Sequence, residues 1–498
     1  MDEQRVFAGR IERRLACLLP SEPPNRGATM YQDSRAHAIT TDSSTAASAV
    51  DEAIGHLVGR RAAMMPTIEA AVVADPACVM AQALAGLMAC GARKAAALPA
   101  ASQALAAIGS SRHAATSRER LYVEALEQAI ARRPGAMVAR YEAILCEHPT
   151  DLLAAVLAQG ELFWTGDMPR SARLSAAADS AWHEGVDGYP DWLALRAFDL
   201  EEAGELDAAE RLGREAIARD PANLWGAHAV SHVLEMRGDS AGGVRWLDGL
   251  HAGWDAGGPM RFHLWWHRCL CHVELGESDA ALALHDDWLR NDALPFQRAV
   301  PDFYLDVQNA ASHLLRLEIA GVDVGDRWQS LATAIDASWD DLSSPFTTLH
   351  VAMVLAATGQ RQRLARLIDA VEALAGSTDP AVAGSVGPSC SSGAEAEQQR
   401  AADTLPDAYR GASGMLRAIR AHRAGHHAQV VADAQPLRGE LWRFGGSHAQ
   451  RDVLFQLLFD SARAVGDQAL MRAIHADLER IGFRAPFERA AYRTGTRR

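Results

Sequence analysis

The stretch RAFDLEEAGELDAAERLGREAIARDPANLWGAHAVSHVLEMRGD, residues 196–239, decides the fold of this chain. Its apolar residues recur at the period of amphipathic helices. Gly204 and Gly238 are separated by the length of one tetratricopeptide repeat, with Ala209 and Pro221 between them. A turn glycine, a small residue where two helices touch and a proline that closes the second helix are typical of such repeats. The stretch therefore predicts a helical hairpin that is repeated along the chain.

The same turn glycine recurs on both sides of this stretch. Further examples at the ends of predicted first helices are Gly166, Gly276, Gly321, Gly359, Gly425 and Gly466. Most of their spacings are longer than the one between Gly204 and Gly238, so the repeats are degenerate, and a closed or irregular superhelix fits as well as a regular one. The predicted fold class is all-α, an α-solenoid or superhelix of degenerate tetratricopeptide-like hairpins around an inner cleft.

Composition along the chain predicts four segments. Residues 1–45 have weak periodicity and are expected to form a loosely ordered N-terminal arm. Residues 46–374 carry the helical repeats, and residues 408–498 carry C-terminal repeats that close the superhelix. Between them, residues 375–407 are rich in Gly, Ser, Pro and Ala with almost no large apolar residue, which predicts a flexible insertion, either a surface loop or a lid.

The bulk composition excludes several function classes. The net charge is -14, from 63 acidic against 49 basic residues, which argues against nucleic-acid partners and an anionic membrane surface. No apolar run is long enough to span a bilayer, and the N-terminus lacks a signal peptide. Seven cysteines without a disulfide or CxxC pattern are typical of reduced thiols, so we expect a cytoplasmic protein.

Two histidine pairs stand out in consecutive predicted hairpins. HAVSH carries His228 and His232, and HLWWH carries His263 and His267. Each pair is spaced i, i+4 and so lies on one helix face, and Glu235 follows His232 on the same face. When positions are counted back from the turn glycines, these residues fall within one arc around the helix axis. This predicts that their side chains converge on the inner wall of the superhelix.

His350 falls in the same arc, at the offset that His267 has from its own turn glycine. We therefore expect it to complete the set. The Trp residues around the pairs are expected mostly to pack the repeats, while Trp266 is a candidate for the wall of a ligand pocket.

Four interpretations of the histidine face are open. Paired i, i+4 histidines on two helices resemble the way helical proteins bind zinc, iron or manganese, so His228, His232, His263 and His267 are candidate metal ligands. The same groups suit metal-free acid–base catalysis, since histidine titrates near neutrality. They also suit a recognition pocket for an anionic or polar ligand. Finally, they can be core polar groups that bond to backbone or neighbouring helices.

A second polar signal lies in GGSHAQRDVLFQLL, residues 445–458. Its two glycines precede a predicted helix start that Ser447 can cap, and His448, Gln450, Arg451 and Asp452 crowd the first turn. Free N–H groups at such a start can bind a substrate anion with Arg451 as a bidentate partner. Alternatively, an Arg451–Asp452 pair fixes the helix entry. The chain has no GxGxxG or Walker A motif, so no nucleotide cofactor is expected.

Several blocks together resemble the tetratricopeptide repeat protein 38 family. They are residues 196–239, HLWWHRCLCHVELGESDAALALHD at 263–286, LLRLEIAGVDVGDRWQSL at 314–331 and GGSHAQRDVLFQLL at 445–458. The resemblance covers roughly residues 145–480 and implies an α-helical repeat fold in an intracellular protein. The family pattern carries residues that are matched here at His228, His232, Glu235, Met236, His263, Trp266, His267, Asp306, Arg316, His350, Gln450, Arg451 and Asp452. Where the family often has an acidic residue three positions after Asp306, this chain has Asn309, which weakens any mechanism that needs two carboxylates there.

Two functions follow from these patterns. The first is a small-molecule enzyme, metal-assisted or using His/Glu acid–base chemistry. Its catalytic residues would be His228, His232, Glu235, His263, His267 and His350, and its substrate-binding residues Asp306, Trp266, His448, Gln450, Arg451 and Asp452. The alternative is a tetratricopeptide adaptor that binds a peptide or protein partner on its concave face without catalysis. Adaptors of that kind usually grip a carboxylate with Lys, Arg and Asn, whereas this face presents His, Glu and Trp, which favours a closed polar pocket.

Overall fold

The structure is a computed structural model that describes residues 30–376 and 404–493. Helices dominate these residues, and the one sheet among them is a two-stranded hairpin of β1 (Met30–Gln32) and β2 (Ala38–Thr40). The all-α fold class is therefore confirmed for the described part of the chain. None of the helices in these ranges has both the length and the apolarity needed to span a bilayer.

The helices follow one another with short connections. Up to residue 248 they are α1 (Ser44–Val58), α2 (Met64–Ala74), α3 (Val79–Gly91), α4 (Leu98–Ile108), α5 (Ser117–Ile130), α6 (Pro134–Glu147), α7 (Leu152–Thr165), α8 (Met168–Ala178), α9 (Tyr189–Glu202), α10 (Leu206–Arg219), α11 (Leu224–Met236) and α12 (Ser240–Asp248). Beyond it they are α13 (Met260–Leu275), α14 (Ser278–Leu284), α15 (Pro295–Ala299), α16 (Tyr304–Ile319), α17 (Arg327–Ala334), α18 (Pro345–Ala357), α19 (Arg361–Ala375), α20 (Leu405–Ala408), α21 (Ala412–Arg423), α22 (His427–Ala434), α23 (His448–Val465) and α24 (Gln468–Arg480).

The predicted turn glycines end helices as the repeat pattern requires. All eight adopt a left-handed backbone with φ between 69° and 85°, a region that favours glycine. They are Gly166, Gly204, Gly238, Gly276, Gly321, Gly359, Gly425 and Gly466. In the hairpin that follows Gly204, α10 packs on α9, and α11 packs on both. The local pattern therefore predicts helix ends and neighbours correctly.

The predicted N-terminal arm is only partly described. Residues 1–29 lie outside the described residues, and so does most of the predicted insertion 375–407. Residues 30–43 differ from the expected loose arm, because they form the hairpin, in which Tyr31 pairs with Ile39. Ile39 is fully buried, and the backbone N–H of Thr40 donates to Glu119 Oε1 at 2.8 Å. The partner lies in a distant helix, α5, so no local pattern could show this contact.

Early and late helices meet across the molecule. The Trp164 ring at the end of α7 lies 5.4 Å from Tyr304 of α16 and 6.3 Å from Phe346 of α18. The largest apolar core cluster runs from Leu206 to Tyr492. Described helices on both sides of the predicted insertion therefore share one core.

A buried histidine pair lies in this core away from the predicted site. His285 begins a single π-helical turn, His285–Leu289, and its ring stacks on His313 of α16 at 5.5 Å. Neither ring nitrogen of His285 has a hydrogen-bond partner within the described residues. Burial lowers the pKa of His285 to about 3, helped by the charges of Arg327 and Arg290.

Replacement of His285 by Leu is expected to make the chain less sensitive to acid. The pKa of His285 is lowered in the folded chain, whereas in the unfolded chain it has the ordinary value of about 6.5. Between about pH 6.5 and about pH 3, His285 is therefore protonated in the unfolded chain but neutral in the folded chain. Stability is thus lost as pH falls through this window, by about 2 kcal/mol at about pH 5 for this one group. Urea unfolding at neutral and at mildly acidic pH measures the difference. His113→Leu, at an exposed histidine, is the matched control and should keep the wild-type pH dependence.

Candidate metal centre

Two neighbouring helices present the histidine pairs. The Asn223 side chain caps α11 by accepting from the Gly226 N–H at 2.8 Å, and α13 ends at the left-handed Gly276. These ends set the helix registers, so that His228 and His232 of α11 face His263 and His267 of α13. All four imidazoles are buried, the most exposed retaining 3% of its surface.

The four histidines converge, and we call them the histidine tetrad. His228 Nε2 and His232 Nε2 lie 2.9 Å apart. Ring centroids of His228 lie 5.0 Å from His263 and 5.1 Å from His267, and those of His232 and His267 are 4.6 Å apart. One nitrogen from each residue falls within 4.8 Å of all the others. The predicted convergence of the two histidine pairs is therefore confirmed.

Three tetrad members turn Nδ1 toward an oxygen outside the tetrad. His232 Nδ1 lies 3.3 Å from Glu201 Oε2, and His267 Nδ1 lies 3.4 Å from Glu235 Oε2. These two contacts are at ion-pair distance without the alignment of a full hydrogen bond. His263 Nδ1 makes a 2.8 Å hydrogen bond with Asn309 Oδ1. An oxygen partner on Nδ1 fixes the ring and is the usual support of a metal-binding histidine. The Nε2 of His232 shares a hydrogen bond with His228 Nε2, which a metal would have to replace.

Aromatic side chains enclose the tetrad. Phe198 of α9 stacks on His228 at 5.2 Å, and Trp266 stacks on His263 at 4.9 Å. The Trp266 indole N–H donates to Ser312 Oγ at 3.1 Å, which fixes its ring. Trp266 therefore packs directly against the tetrad, and its expected role in substrate binding stays a prediction.

Burial and neighbouring charges set the protonation of the tetrad. Burial lowers the pKa of His228, His263 and His267 well below the usual range, and neighbouring histidines lower these pKa values further. Burial would also lower the pKa of His232, but the carboxylates of Glu201, Glu202 and Glu235 outweigh it and leave that pKa raised. Neutral imidazole is the form that binds metals, so three of the four rings are already in that form.

The predicted anion site at the start of α23 is filled by the protein itself. Ser447 caps the helix and forms a capping box with Gln450, as the sequence predicts. The His448 backbone N–H donates to Glu202 Oε1 at 3.1 Å, and Arg451 Nη2 lies 3.6 Å from Glu202 Oε2. The anion at this helix start is thus a carboxylate of α9. The expected roles of His448, Gln450 and Arg451 in binding a substrate anion need correction. His448 and Arg451 hold α23 against the helix that carries Glu201, while Gln450 caps its own helix with Ser447.

Asp452 faces the other side of α23. Its carboxylate accepts from Arg489 Nη2 at 2.9 Å and from the Tyr492 hydroxyl. The predicted Arg451–Asp452 pair is absent from the described ion pairs, since Asp452 pairs instead with Arg489 of the C-terminal segment 486–493. This segment borders a pocket lined by Glu235, Glu274, Arg316, Gln456, Arg489 and Ala490. The pocket therefore reaches Glu235, the partner of His267.

Two predicted site residues lie apart from the tetrad. The structure does not bring His350 into the tetrad as expected, because its Nδ1 bonds to the Phe346 carbonyl oxygen at 2.7 Å and its ring lies on Phe346 at 4.5 Å. Asp306 of α16 is buried, and neither of its carboxylate oxygens has a hydrogen-bond partner within the described residues. Burial raises the pKa of Asp306 to about 8, so it is a neutral acid one turn from Asn309.

Several residues that support the tetrad are not singled out by the sequence analysis. Glu201 lies three residues before Gly204, the offset that Glu235 has from Gly238, so the repeat frame contains it although it belongs to the preceding hairpin. Arg489 lies near the end of the chain, beyond the last turn glycine. Asn309 stands out in the sequence only as a departure from a family pattern, yet it supplies the oxygen that orients His263. Another signal is EE at Glu201 and Glu202, two adjacent carboxylates directly before the turn at Gly204.

A smaller group of possible metal ligands lies elsewhere in the described chain. His422, His427 and Asp460 are partly exposed, and His422 Nε2 lies 3.0 Å from Asp460 Oδ2. Asp460 is also paired with Arg463, which competes with a metal for the carboxylate. This group therefore lacks the burial of the tetrad and offers two imidazoles instead of four.

No protein-family model matches the sequence.

Proposed function

We propose that the chain is a metal-dependent enzyme that acts on a small molecule, with the histidine tetrad as the ligand set of a divalent transition metal. The observation that carries this proposal is the orientation of His232, His263 and His267. Each has Nδ1 directed at an oxygen, and one nitrogen of each tetrad member lies within 4.8 Å of the others. Four converging imidazole nitrogens form a donor set for a metal, whereas the buried pair of His285 and His313 offers only two imidazoles.

The distances fit a metal after small ring movements. Metal–imidazole bonds of about 2.0–2.1 Å place neighbouring tetrahedral nitrogens about 3.4 Å apart. The tetrad nitrogens span up to 4.8 Å, and the His228–His232 pair is closer than the tetrahedral edge. Small ring rotations would therefore bring four nitrogens to a common ion.

The surrounding charges are compatible with a bound cation. Five carboxylates lie beside the tetrad and the pocket that reaches Glu235. They are Glu201, Glu202, Glu235, Glu274 and Asp452, and they face the guanidinium groups of Arg60, Arg316, Arg451 and Arg489. With all four imidazoles neutral, one negative charge is in excess, and either a bound cation or a proton on His232 would offset it.

The identity of the bound metal would show whether the tetrad is a catalytic or a structural metal site. Zinc in structural sites takes four protein ligands and keeps no open position. Iron accepts imidazole ligands and takes further ligands, so a four-histidine iron centre would leave positions for water or substrate. Iron therefore suits an enzyme best, with zinc and manganese as the other candidates. Glu235 borders a small pocket and lies where it can orient His267 or act as a general base.

The proposed architecture is a superhelix of tetratricopeptide-like hairpins that closes on itself, as in the resemblance to the tetratricopeptide repeat protein 38 family. Support comes from the turn glycines and from the contacts of Trp164 with α16 and α18. The adaptor alternative finds less support, since a peptide groove needs exposed side chains and the tetrad is buried. The predicted cytoplasmic location stays a prediction.

Elemental analysis of the chain, purified without a metal-binding tag, tests the proposal. We expect close to one equivalent of iron, zinc or manganese per chain, because the four nitrogens converge on one point. The His232→Ala/His267→Ala variant should retain less than about a tenth of it, since two of four ligands are gone. Metal-free wild-type protein, refolded or expressed with each metal supplied, would contradict the proposal. His422→Ala is the matched control and should keep the wild-type metal content.

A further inference from the structure

Arg60 lies beside the tetrad, although no sequence pattern singles it out. It occupies the turn after α1, several hairpins before the first tetrad histidine. Its guanidinium carbon stands 4.5 Å above the ring centre of Trp225. The Trp225 ring in turn lies 4.6 Å from His228. Arg60, Trp225 and His228 thus form a stack that leads to the tetrad.

The backbone of Arg60 is held in an unusual conformation. Its φ of 55° lies in the left-handed region, which non-glycine residues rarely adopt. The Arg60 carbonyl oxygen accepts from the Gly258 N–H at 2.7 Å, and Arg61 forms a β-bridge with Gly257. These contacts fix the turn to the segment directly before α13. Arg93 and Arg132 adopt the same conformation directly after α3 and α5, so this backbone marks the end of a helix.

No carboxylate contacts the guanidinium of Arg60 among the described residues. Its Nε is buried without a hydrogen-bond partner, and Asp191 acts on the charge only from beyond ion-pair distance. Arg451 and Arg489 differ, since Arg451 meets Glu202 and Arg489 meets Asp452. Arg316 also lacks an ion pair among the described residues, but its guanidinium donates to the carbonyl oxygens of Ser312 and Ala449. Arg60 as a whole keeps part of its surface exposed. A partly desolvated cation without a contacting anion is costly unless a ligand completes it.

Aromatic rings lie near this cation. The Trp225 indole is fixed by donating to Gln159 Oε1 at 3.1 Å. Tyr304 lies near enough to Arg60 to act on it electrostatically, and it contacts Trp164 edge-on at 5.4 Å. A ligand that reaches Arg60 would therefore also meet flat apolar surfaces.

We propose that Arg60 binds the oxyanion of the substrate, so that the substrates are small organic anions with a flat apolar body. The inference rests on the proposed function for the identity of the site, but anion binding at Arg60 can be measured without turnover. Arg60 would bind the anionic end while Trp225 separates that end from His228 and the proposed metal. The substrate's remaining part would then extend along the aromatic surfaces toward the tetrad.

Calorimetric titration of the full chain with benzoate, phenyl phosphate, inorganic phosphate and neutral benzamide tests this inference. We expect the two aromatic anions to bind and benzamide to fail at the same concentrations. Arg60→Gln should weaken anion binding about tenfold or more, because a charge-assisted hydrogen bond is lost. Arg60→Lys should retain part of the affinity. Arg61→Gln is the matched control, since Arg61 is exposed and next in sequence, and it should bind as wild type.

The outcomes separate this inference from the proposed function. Metal-free protein whose benzoate binding depends on Arg60 would refute the metal centre and leave the anion site standing. Metal-loaded protein that binds none of the three anions, or binds them no better than Arg60→Gln does, would overturn the anion site and leave the metal centre standing. Tighter binding of phenyl phosphate than benzoate would assign a phosphate ester as the substrate class, and the reverse would assign a carboxylate. Circular dichroism of Arg60→Gln must show wild-type helicity, and Arg60→Lys repeats the test if it does not.

Discussion

Chelation of the metal-loaded chain is expected to lower its stability toward urea by about 4 kcal/mol, if the ion had been present at about a thousand times its dissociation constant. The physical reason is that the tetrad exists only in the folded chain, so a bound ion stabilises that state alone. Removal of the ion also leaves Glu201 and Glu235 buried against imidazoles without a compensating dication. The shift in the urea midpoint, with and without dipicolinate, measures the effect.

Two variants make this measurement specific to the tetrad. His232→Ala/His267→Ala should unfold at one midpoint whether or not the chelator is present, because it holds no ion at this place. His422→Ala should respond to the chelator as wild type does, since it disrupts only the smaller group with His427 and Asp460. If chelation instead destabilises the double variant as much as wild type, the stabilising ion lies outside the tetrad. The tetrad histidines would then be core groups.

The fold was largely predictable because its signals are local. A turn glycine, a helical apolar period and a small residue at the contact of two helices all lie within one hairpin, and these features place α9, α10 and α11 correctly. The β-hairpin was not predictable, since its strands are very short and Thr40 binds Glu119 of a distant helix. Where a short element depends on a distant partner, propensity and period carry little information.

The sequence predicts which site residues share a helix face, but not which residues of other helices contact them. The i, i+4 spacing places His228 with His232 and His263 with His267, and the repeat frame turns both pairs inward. The same frame wrongly added His350, because an arc around the helix axis does not give the distance between α18 and α13. The oxygens that orient the histidines come from α9, α11 and α16, so they depend on how hairpins stack. Arg60 is the extreme case, since it belongs to a turn whose place is set by contacts with the segment before α13.

Replacement of Arg489 by Met is expected to destabilise the chain by about 3–5 kcal/mol, the usual cost of breaking a buried ion pair by removing one partner. Arg489 retains 7% of its surface and lies 2.9 Å from Asp452 and 3.1 Å from Glu274. Its loss leaves the fully buried Asp452 carboxylate facing only the Tyr492 hydroxyl, Gln456 and the more distant charge of Arg316. Urea unfolding at neutral pH measures the loss. Arg493→Met removes an exposed arginine slightly further on and should change stability by less than about 0.5 kcal/mol.

The same variant should also expose the proposed metal. Arg489 ties the segment 486–493 to α23 and α13, and that segment borders the pocket that reaches Glu235. If the segment detaches when Asp452 loses its partner, a chelator gains a shorter path to the tetrad, and metal should leave Arg489→Met faster than wild type under conditions where both are folded. Equal release rates, together with the expected loss of stability, would mean that the segment supports the core without covering the approach to the ion. Arg489 also lies 3.9 Å from Glu235, so its loss could change how strongly the tetrad binds the metal. Faster release with an unchanged metal affinity would show that the variant changes the access of the chelator to the metal and not the strength of metal binding.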